Sequence, residues 1–154
     1  MRICAIVSLG FGLMAGSAWA GGPISTNTNN VAIDGWDVVA YFTQAKAVKG
    51  SSAHAVNHKG AIFHFATASH KKQFQQSPGR YLPSFGGYCA FAVAMKNAKV
   101  PANPQTFKLY NGKLLLFFDN LYQGKKFNTK VPWNQNERKL YKKASGNWRK
   151  LAKK

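Results

Sequence analysis

A pair of glycines followed by an aromatic and apolar run constrains the fold more than any other stretch of the chain. The run is Phe85-Gly86-Gly87-Tyr88-Cys89-Ala90-Phe91-Ala92. Two glycines permit a tight turn, and apolar residues then recur at the i, i+3, i+4 and i+7 spacing of one helical face. These residues are Tyr88, Phe91, Ala92 and Met95. We therefore predict a central helix to about Asn97 whose apolar stripe is core, with the Cys89 thiol at the edge of the packed face.

Residues 1–20 have the pattern of a cleavable signal peptide. Arg2 precedes an apolar run from Ile3 to Met14, and Ala18-Trp19-Ala20 forms an A-x-A cleavage motif before Gly21. The apolar run is too short to span a bilayer, and no later stretch approaches the roughly 20 apolar residues of a membrane helix. We predict a periplasmic or secreted protein without a transmembrane segment. Residues 21–30, rich in Gly, Ser, Thr and Asn, are predicted to be a flexible leader.

Two pairs of segments have the pattern of β-hairpins. The first pair flanks His58-Lys59-Gly60, and the second flanks Asn111-Gly112, the strongest hairpin turn signal in the chain. In both turns the glycine supplies the backbone conformation that a tight connection needs. Alternation of Phe63 and Phe65 with polar neighbours places these two aromatic side chains on one face of the first hairpin.

Helices are predicted between and after the hairpins. Asp37 can cap a short helix, and Thr67 can cap another that runs to Gln76. Two further helices are expected, one from about Asn120 to Phe127 and one from Trp133 to Ala144. The fold class is therefore α+β: a single compact domain, residues 31–151, in which small antiparallel β-hairpins pack with several short helices.

The charge balance of the chain is extreme. Its 154 residues include 22 Lys and Arg against four Asp and Glu, a formal net charge of +18. Such a field attracts nucleic acid, anionic lipid head groups and acidic envelope polymers. The basic residues cluster near the C terminus, where Tyr141 and Trp148 lie among them. The polyanion-binding candidates are Lys142, Lys143, Arg149 and Lys150.

Nothing in the sequence matches a nucleic-acid-binding module, so no specific nucleic acid is predicted as a partner. The predicted export favours anionic envelope polymers instead. A basic surface that serves only solubility is the simpler interpretation of the same charge.

Two stretches together resemble a known family. His58 to Thr67, followed by Phe74, Pro78, Arg80 and Tyr81, resembles the YHS domain, a short hairpin followed by a helix. Further matching segments narrow the resemblance to the exported, single-domain YHS proteins of bacteria, over roughly residues 31–151. These segments are Asp34 to Phe42, Gly86 to Ala92, Asn111 to Leu114 and Asn147-Trp148.

The resemblance implies metal handling. YHS relatives within metal-transporting ATPases and metal-sensing proteins carry a Phe-Cys-Ser-x-x-Cys stretch, where this chain has Ala66 for the first cysteine and His70 for the second. Cys89 is then the main ligand candidate, with His64 and His70 in support. These donors suit copper or zinc. A metal-handling partner would follow from such a function.

Other interpretations of Cys89 stay open at this stage. Free cysteine is often a small buried hydrophobe, and a cysteine beside a helix start can also be a reactive thiol of a redox protein. Cys4 leaves with the predicted signal peptide, so the chain supplies no resolving thiol. The sequence contains no nucleophile elbow, phosphate loop or dinucleotide fingerprint. We assign no catalytic residue and favour a non-enzymatic binding protein.

Overall fold

The computed structural model describes residues 21–154, so the predicted signal peptide, including Cys4, lies outside the described residues. The helices are α1 (Ala40–Thr43), α2 (Ala68–Gln76), α3 (Pro78–Tyr81), α4 (Ala90–Lys96), α5 (Lys130–Gln135) and α6 (Glu137–Leu151). The strands are β1 (Ser51–His58), β2 (Ala61–Phe65), β3 (Asn103–Tyr110), β4 (Lys113–Phe117), β5 (Asp119–Tyr122) and β6 (Lys125–Asn128). Short 3₁₀ turns cover Ile33–Gly35 and Ser84–Gly87. The arrangement confirms the predicted α+β class.

Both predicted hairpins are present. β1 pairs antiparallel with β2, and β3 with β4. The turn residues Lys59 and Gly60 have φ of 50° and 81°, and Asn111 and Gly112 have φ of 48° and 70°. Positive φ at both central residues matches the twist of antiparallel strands, which explains why these dipeptides marked the turns correctly.

The segment predicted as a helix from Asn120 to Phe127 is a third hairpin, so that prediction was wrong. β5 pairs with β6, and Gln123 and Gly124 turn the chain with φ of 51° and 76°. Four residues in each strand offer too short a pattern to separate a strand from a helix by periodicity. The Gln-Gly turn is the sequence signal that favours a hairpin over a helix here.

The central helix starts later than its apolar spacing predicted. Phe85, Gly86 and Gly87 all have positive φ, so the backbone is not helical there, and α4 begins only after Cys89, its N-cap residue. The later start rotates the buried face of the helix. Val93 is fully buried, whereas the side chain of Met95 is 51% exposed, so its assignment to the core was wrong.

Residues 21–26, the N-terminal strap, pack against the turn that precedes α4. The Ser25 N–H donates to the Gly86 carbonyl at 2.8 Å, and the Ile33 N–H donates back to the Ser25 carbonyl at 2.9 Å. The Tyr88 hydroxyl donates to the Gly22 carbonyl at 3.0 Å. This arrangement differs from the predicted flexible leader, because long-range hydrogen bonds hold a segment whose composition favours no regular structure.

Strand β4 joins two hydrophobic clusters. Leu114 and Leu116 pack in one cluster with the aromatic residues of β2 and α2, while Leu115 and Phe117 pack in the other with α4 and α6. Successive side chains of a strand point to opposite faces, so a strand covered on both faces is apolar throughout. β4 therefore forms the centre of the domain.

The C-terminal helix extends further than predicted. Asn136 interrupts the run between α5 and α6, and α6 continues to Leu151. Leu140, Ala144 and Leu151 are its buried residues. Within residues 21–154, no helix is long and apolar enough to cross a membrane.

Candidate functional site

His70, one of the predicted metal ligands, is held by two side chains inside the domain. Its Nδ1 lies 2.6 Å from Oδ2 of Asp37, which is fully buried. Its Nε2 lies 3.3 Å from the Thr43 hydroxyl. Both ring nitrogens therefore already have partners, and the imidazole connects α2 to the last residue of α1 and to the turn before that helix.

Asp37 explains why this pair is buried. Its Oδ1 accepts from the N–H groups of Val39 and Ala40 at 2.9 and 3.2 Å, and its Oδ2 accepts from Ala66 at 2.8 Å. A buried carboxylate is tolerated when hydrogen bonds replace its hydration, and four donors do so here. The predicted capping role is confirmed and extends to the end of β2.

Cys89 is 0% exposed and its sulfur is also engaged. Sγ lies 3.3 Å from the Thr129 hydroxyl oxygen, and the Ala92 N–H donates to it at 3.5 Å. The Thr129 hydroxyl donates to the Phe118 carbonyl at 3.0 Å, which leaves its oxygen to accept from the thiol.

The three predicted ligands are not assembled into one site. His64 lies on β2 with its ring beside Gly35, where an added Cβ would stand 3.4 Å from Nδ1. Within residues 21–154, no group of three or more His, Cys, Asp or Glu side chains is placed to hold a metal ion. Metal binding through Cys89, His64 and His70 stays a prediction that requires rearrangement of the fold.

An open groove of about 430 Å³ lies beside α6. Its aromatic lining comes from Phe85, Tyr141 and Trp148, whose rings contact one another at centroid distances of 5.9 Å (Phe85 to Tyr141) and 6.3 Å (Phe85 to Trp148). Lys59 and Lys113, from the tips of the first two hairpins, also line it. We call this feature the aromatic groove. Its volume lies in the range of ordinary ligand clefts.

Helical geometry places part of the predicted basic cluster beside this groove. Tyr141, Ser145 and Trp148 line the groove from α6, at spacings that keep them on one side of the helix. At about 100° per residue, the side chains next to that stripe form the basic row. The basic row is Arg138, Lys142 and Arg149, all exposed. The far row, rotated roughly 160–200° from Tyr141, is Lys139, Lys143 and Lys150, also exposed.

The four predicted polyanion residues therefore divide between two faces. By helical geometry, Lys142 and Arg149 lie on the side of α6 next to the groove-lining stripe, whereas Lys143 and Lys150 lie on the opposite side. Sequence reasoning missed Lys59, Lys113 and Phe85, which come from other elements. The i, i+4, i+7 spacing of Tyr141, Ser145 and Trp148 is the signal that could have revealed the helix's contribution.

All four acidic residues are tied to neighbouring side chains. Asp34 lies 3.8 Å from Lys49, Glu137 lies 2.6 Å from Lys108, and Asp37 is buried with His70. Oδ2 of the fourth, Asp119, accepts from the Thr106 hydroxyl at 3.0 Å. Among residues 21–154, Lys49 and Lys108 are the lysines or arginines paired with a carboxylate. The surface around α6 is consequently a nearly uncompensated positive field.

Two groups that hydrogen-bond to the N-terminal strap have pKa values shifted by burial. Burial raises the pKa of the Tyr88 phenol. Desolvation lowers the pKa of the Lys99 ammonium, whose Nζ lies 5.8 Å from the centre of the Tyr88 ring and 5.9 Å from that of Trp148. The same ammonium donates to the Gly21 carbonyl. Both groups serve the strap and lie outside the lining of the aromatic groove.

Comparisons with protein families, with curated proteins and with solved structures find no match to this chain. The resemblance to YHS proteins accordingly stays a prediction from the sequence.

Proposed function

We propose that this protein is a non-enzymatic, exported binding protein of the YHS type that docks on anionic envelope polymers through the aromatic groove and its basic row. The observation that carries the proposal is the division of charge. Each of the four carboxylates already has a side-chain partner, while Lys59 and Lys113 line a half-buried aromatic surface and have no carboxylate partner among residues 21–154.

The groove offers two complementary kinds of contact. Lys59 and Lys113 in the lining, with Lys142 and Arg149 next to the lining stripe of α6, can neutralise successive charges of a linear polymer. Tyr141 and Trp148 between them offer apolar faces against which uncharged ring atoms can pack. A polymer with charged groups and flat or cyclic units would use both contacts, whereas a simple salt ion would use only the first.

The test compares two triple variants of one helix. Arg138→Gln, Lys142→Gln and Arg149→Gln neutralise the basic row, and Lys139→Gln, Lys143→Gln and Lys150→Gln neutralise the far row. We expect the basic-row variant to bind heparin fragments and dextran sulfate about tenfold more weakly than wild type at 0.15 M salt. The far-row variant, with the same change in charge, should lose less than about threefold.

Equal losses in the two variants would show that net charge alone drives binding, and would refute the groove as the site. Absence of saturable binding by the wild-type protein would refute the proposed function itself. Thermal unfolding of each variant establishes that all three proteins are folded. All six substituted side chains are exposed, so the variants should keep the wild-type fold.

A further inference from the structure

A second cavity is lined by α4 and the third hairpin. It encloses about 150 Å³ and is lined almost entirely by apolar surface. Its walls include Ala92 on α4, Phe118, and the aromatic rings of Tyr122 and Phe127 on the hairpin, with Lys96 as its charged residue. We call it the hairpin pocket.

The polar atoms at its base are already satisfied. The Cys89 sulfur and the Thr129 hydroxyl contact each other, and the hydroxyl donates to the Phe118 carbonyl. Water in a cavity needs two to four polar partners, and an apolar cavity of about this size stays dry and accepts a molecule as large as benzene. The interior therefore favours an apolar guest.

The walls of the pocket are incompletely covered by protein. Tyr122 and Phe127 are 47% and 40% exposed, although both belong to the lining. Their rings contact each other at a centroid distance of 6.3 Å. Covering this exposed apolar area is favourable because it removes apolar surface from water. An apolar guest would gain that free energy by completing the wall.

Lys96 adds a requirement for charge. Its Nζ lies 5.2 Å from the centre of the Tyr122 ring, and no carboxylate within residues 21–154 forms an ion pair with it. An exposed ammonium beside an apolar cavity is complementary to a molecule with an apolar tail and an anionic head.

From these features we propose that the hairpin pocket binds a small anionic amphiphile, such as a medium-chain carboxylate. A tail of roughly six to eight carbon atoms fits the cavity. The carboxylate then meets Lys96. The thiol of Cys89 contributes only surface to the base, and no covalent step is involved. The site shares no residue with the aromatic groove, so it stands independently of the proposed function.

Isothermal titration with octanoate, octanol and butanoate tests the proposal. We expect saturable octanoate binding with a Kd of about 0.1–1 mM and weaker binding of butanoate, whose tail leaves the cavity unfilled. Lys96→Gln should weaken octanoate about fivefold and leave octanol unchanged. Lys125→Gln, which removes an exposed lysine of the same hairpin outside the lining, should change neither affinity.

Ala92→Phe fills the cavity and should abolish octanoate binding. Because this substitution could also unfold the protein, its thermal unfolding is measured, and Lys96→Gln, at an exposed side chain, tests the pocket independently of it. Absence of octanoate binding, or octanoate binding unaffected by Lys96→Gln, would overturn the proposal. Attachment to anionic lipid vesicles that persists in folded Ala92→Phe, without binding of free octanoate, would also overturn it and indicate surface insertion of the hairpin.

Discussion

At the scale of single residues, Cys89 and His70 are potential metal ligands whose ligand atoms already have hydrogen-bond partners in the fold. The Cys89 sulfur contacts Thr129, and both nitrogens of His70 contact side chains. A metal ion must displace these partners before it gains any ligand. The free energy of binding is therefore reduced by the loss of buried hydrogen bonds, each worth about 1 kcal/mol or more.

We expect titrations with Cu(I) and with Zn(II), in competition with a chromophoric chelator, to give the same stoichiometry for wild-type protein and Cys89→Ala. The physical reason is that Sγ is fully buried and hydrogen-bonded. Circular dichroism of the variant provides the folding control. Near-stoichiometric binding that disappears in Cys89→Ala would instead support the metal site predicted from the sequence.

The capping role of Asp37 could be read from the sequence, whereas its partner could not. A carboxylate before a short apolar helix is a local signal. His70 is 33 positions further along the chain. His70 comes within hydrogen-bonding distance of Asp37 only when β2 and α2 fold onto α1. No local sequence pattern indicates such a long-range contact.

At the scale of elements, the turn from Ser84 to Gly87 fixes both the start of α4 and the position of the N-terminal strap. A Cβ added to Gly86 would lie 2.0 Å from the Pro23 carbonyl oxygen, and its φ is +62°. Gly112 has a similar φ of +70° but faces open space. Substituting Gly112 therefore tests the cost of positive φ alone, whereas substituting Gly86 tests positive φ together with a steric clash.

Gly86→Ala should lower the free energy of unfolding by about 3 kcal/mol or more, because it adds a clash with the strap to the cost of positive φ. Gly112→Ala should cost only about 1–2 kcal/mol, the cost of the backbone conformation alone. Urea unfolding measures both values. Equal losses in the free energy of unfolding would mean that the strap does not pack closely against Gly86.

Hairpins with a two-residue turn were predictable because register and turn type are both local properties. The third hairpin was missed because its strands are short and its residues are mostly exposed, which removes the alternation that identifies a half-buried strand. The phase of α4 was missed because three successive residues at positive φ delay the helix. Glycine patterns predict that a turn is present but not how many residues it contains.

At the scale of the whole molecule, the surface charge opposes folding. A formal charge of +18 with two Lys–carboxylate pairs among residues 21–154 leaves repulsion dominant over attraction. Salt shortens the screening length from about 30 Å at 0.01 M to about 8 Å at 0.15 M. Screening therefore relieves more repulsion than it removes attraction.

Raising NaCl from 0.01 to 0.15 M should increase Tm by about 3–5 °C, equivalent to about 1 kcal/mol. Scanning calorimetry measures the shift. The far-row variant, which carries three fewer positive charges, should show a smaller increase. A Tm that falls with salt would mean that the Asp34–Lys49 and Glu137–Lys108 pairs outweigh the general repulsion.

The candidate site could be predicted only in part, because its residues come from segments that are far apart in the sequence. Composition and clustering pointed to the C-terminal basic residues, because charge is visible in the sequence. The aromatic groove is built from the strap, two hairpin turns, the turn before α4, and α6. A cleft made by five separated segments has no signature in any one of them.

The N-terminal strap also has a practical consequence for handling the molecule. Gly21 lies against the ring of Tyr88, and its carbonyl accepts a hydrogen bond from Lys99. A tag fused directly before Gly21 would therefore lie close to this aromatic surface. The opposite end finishes in exposed Lys153 and Lys154 after the last turn of α6. Labels, surface immobilisation and purification handles attached at that end leave the contacts of the N-terminal strap undisturbed.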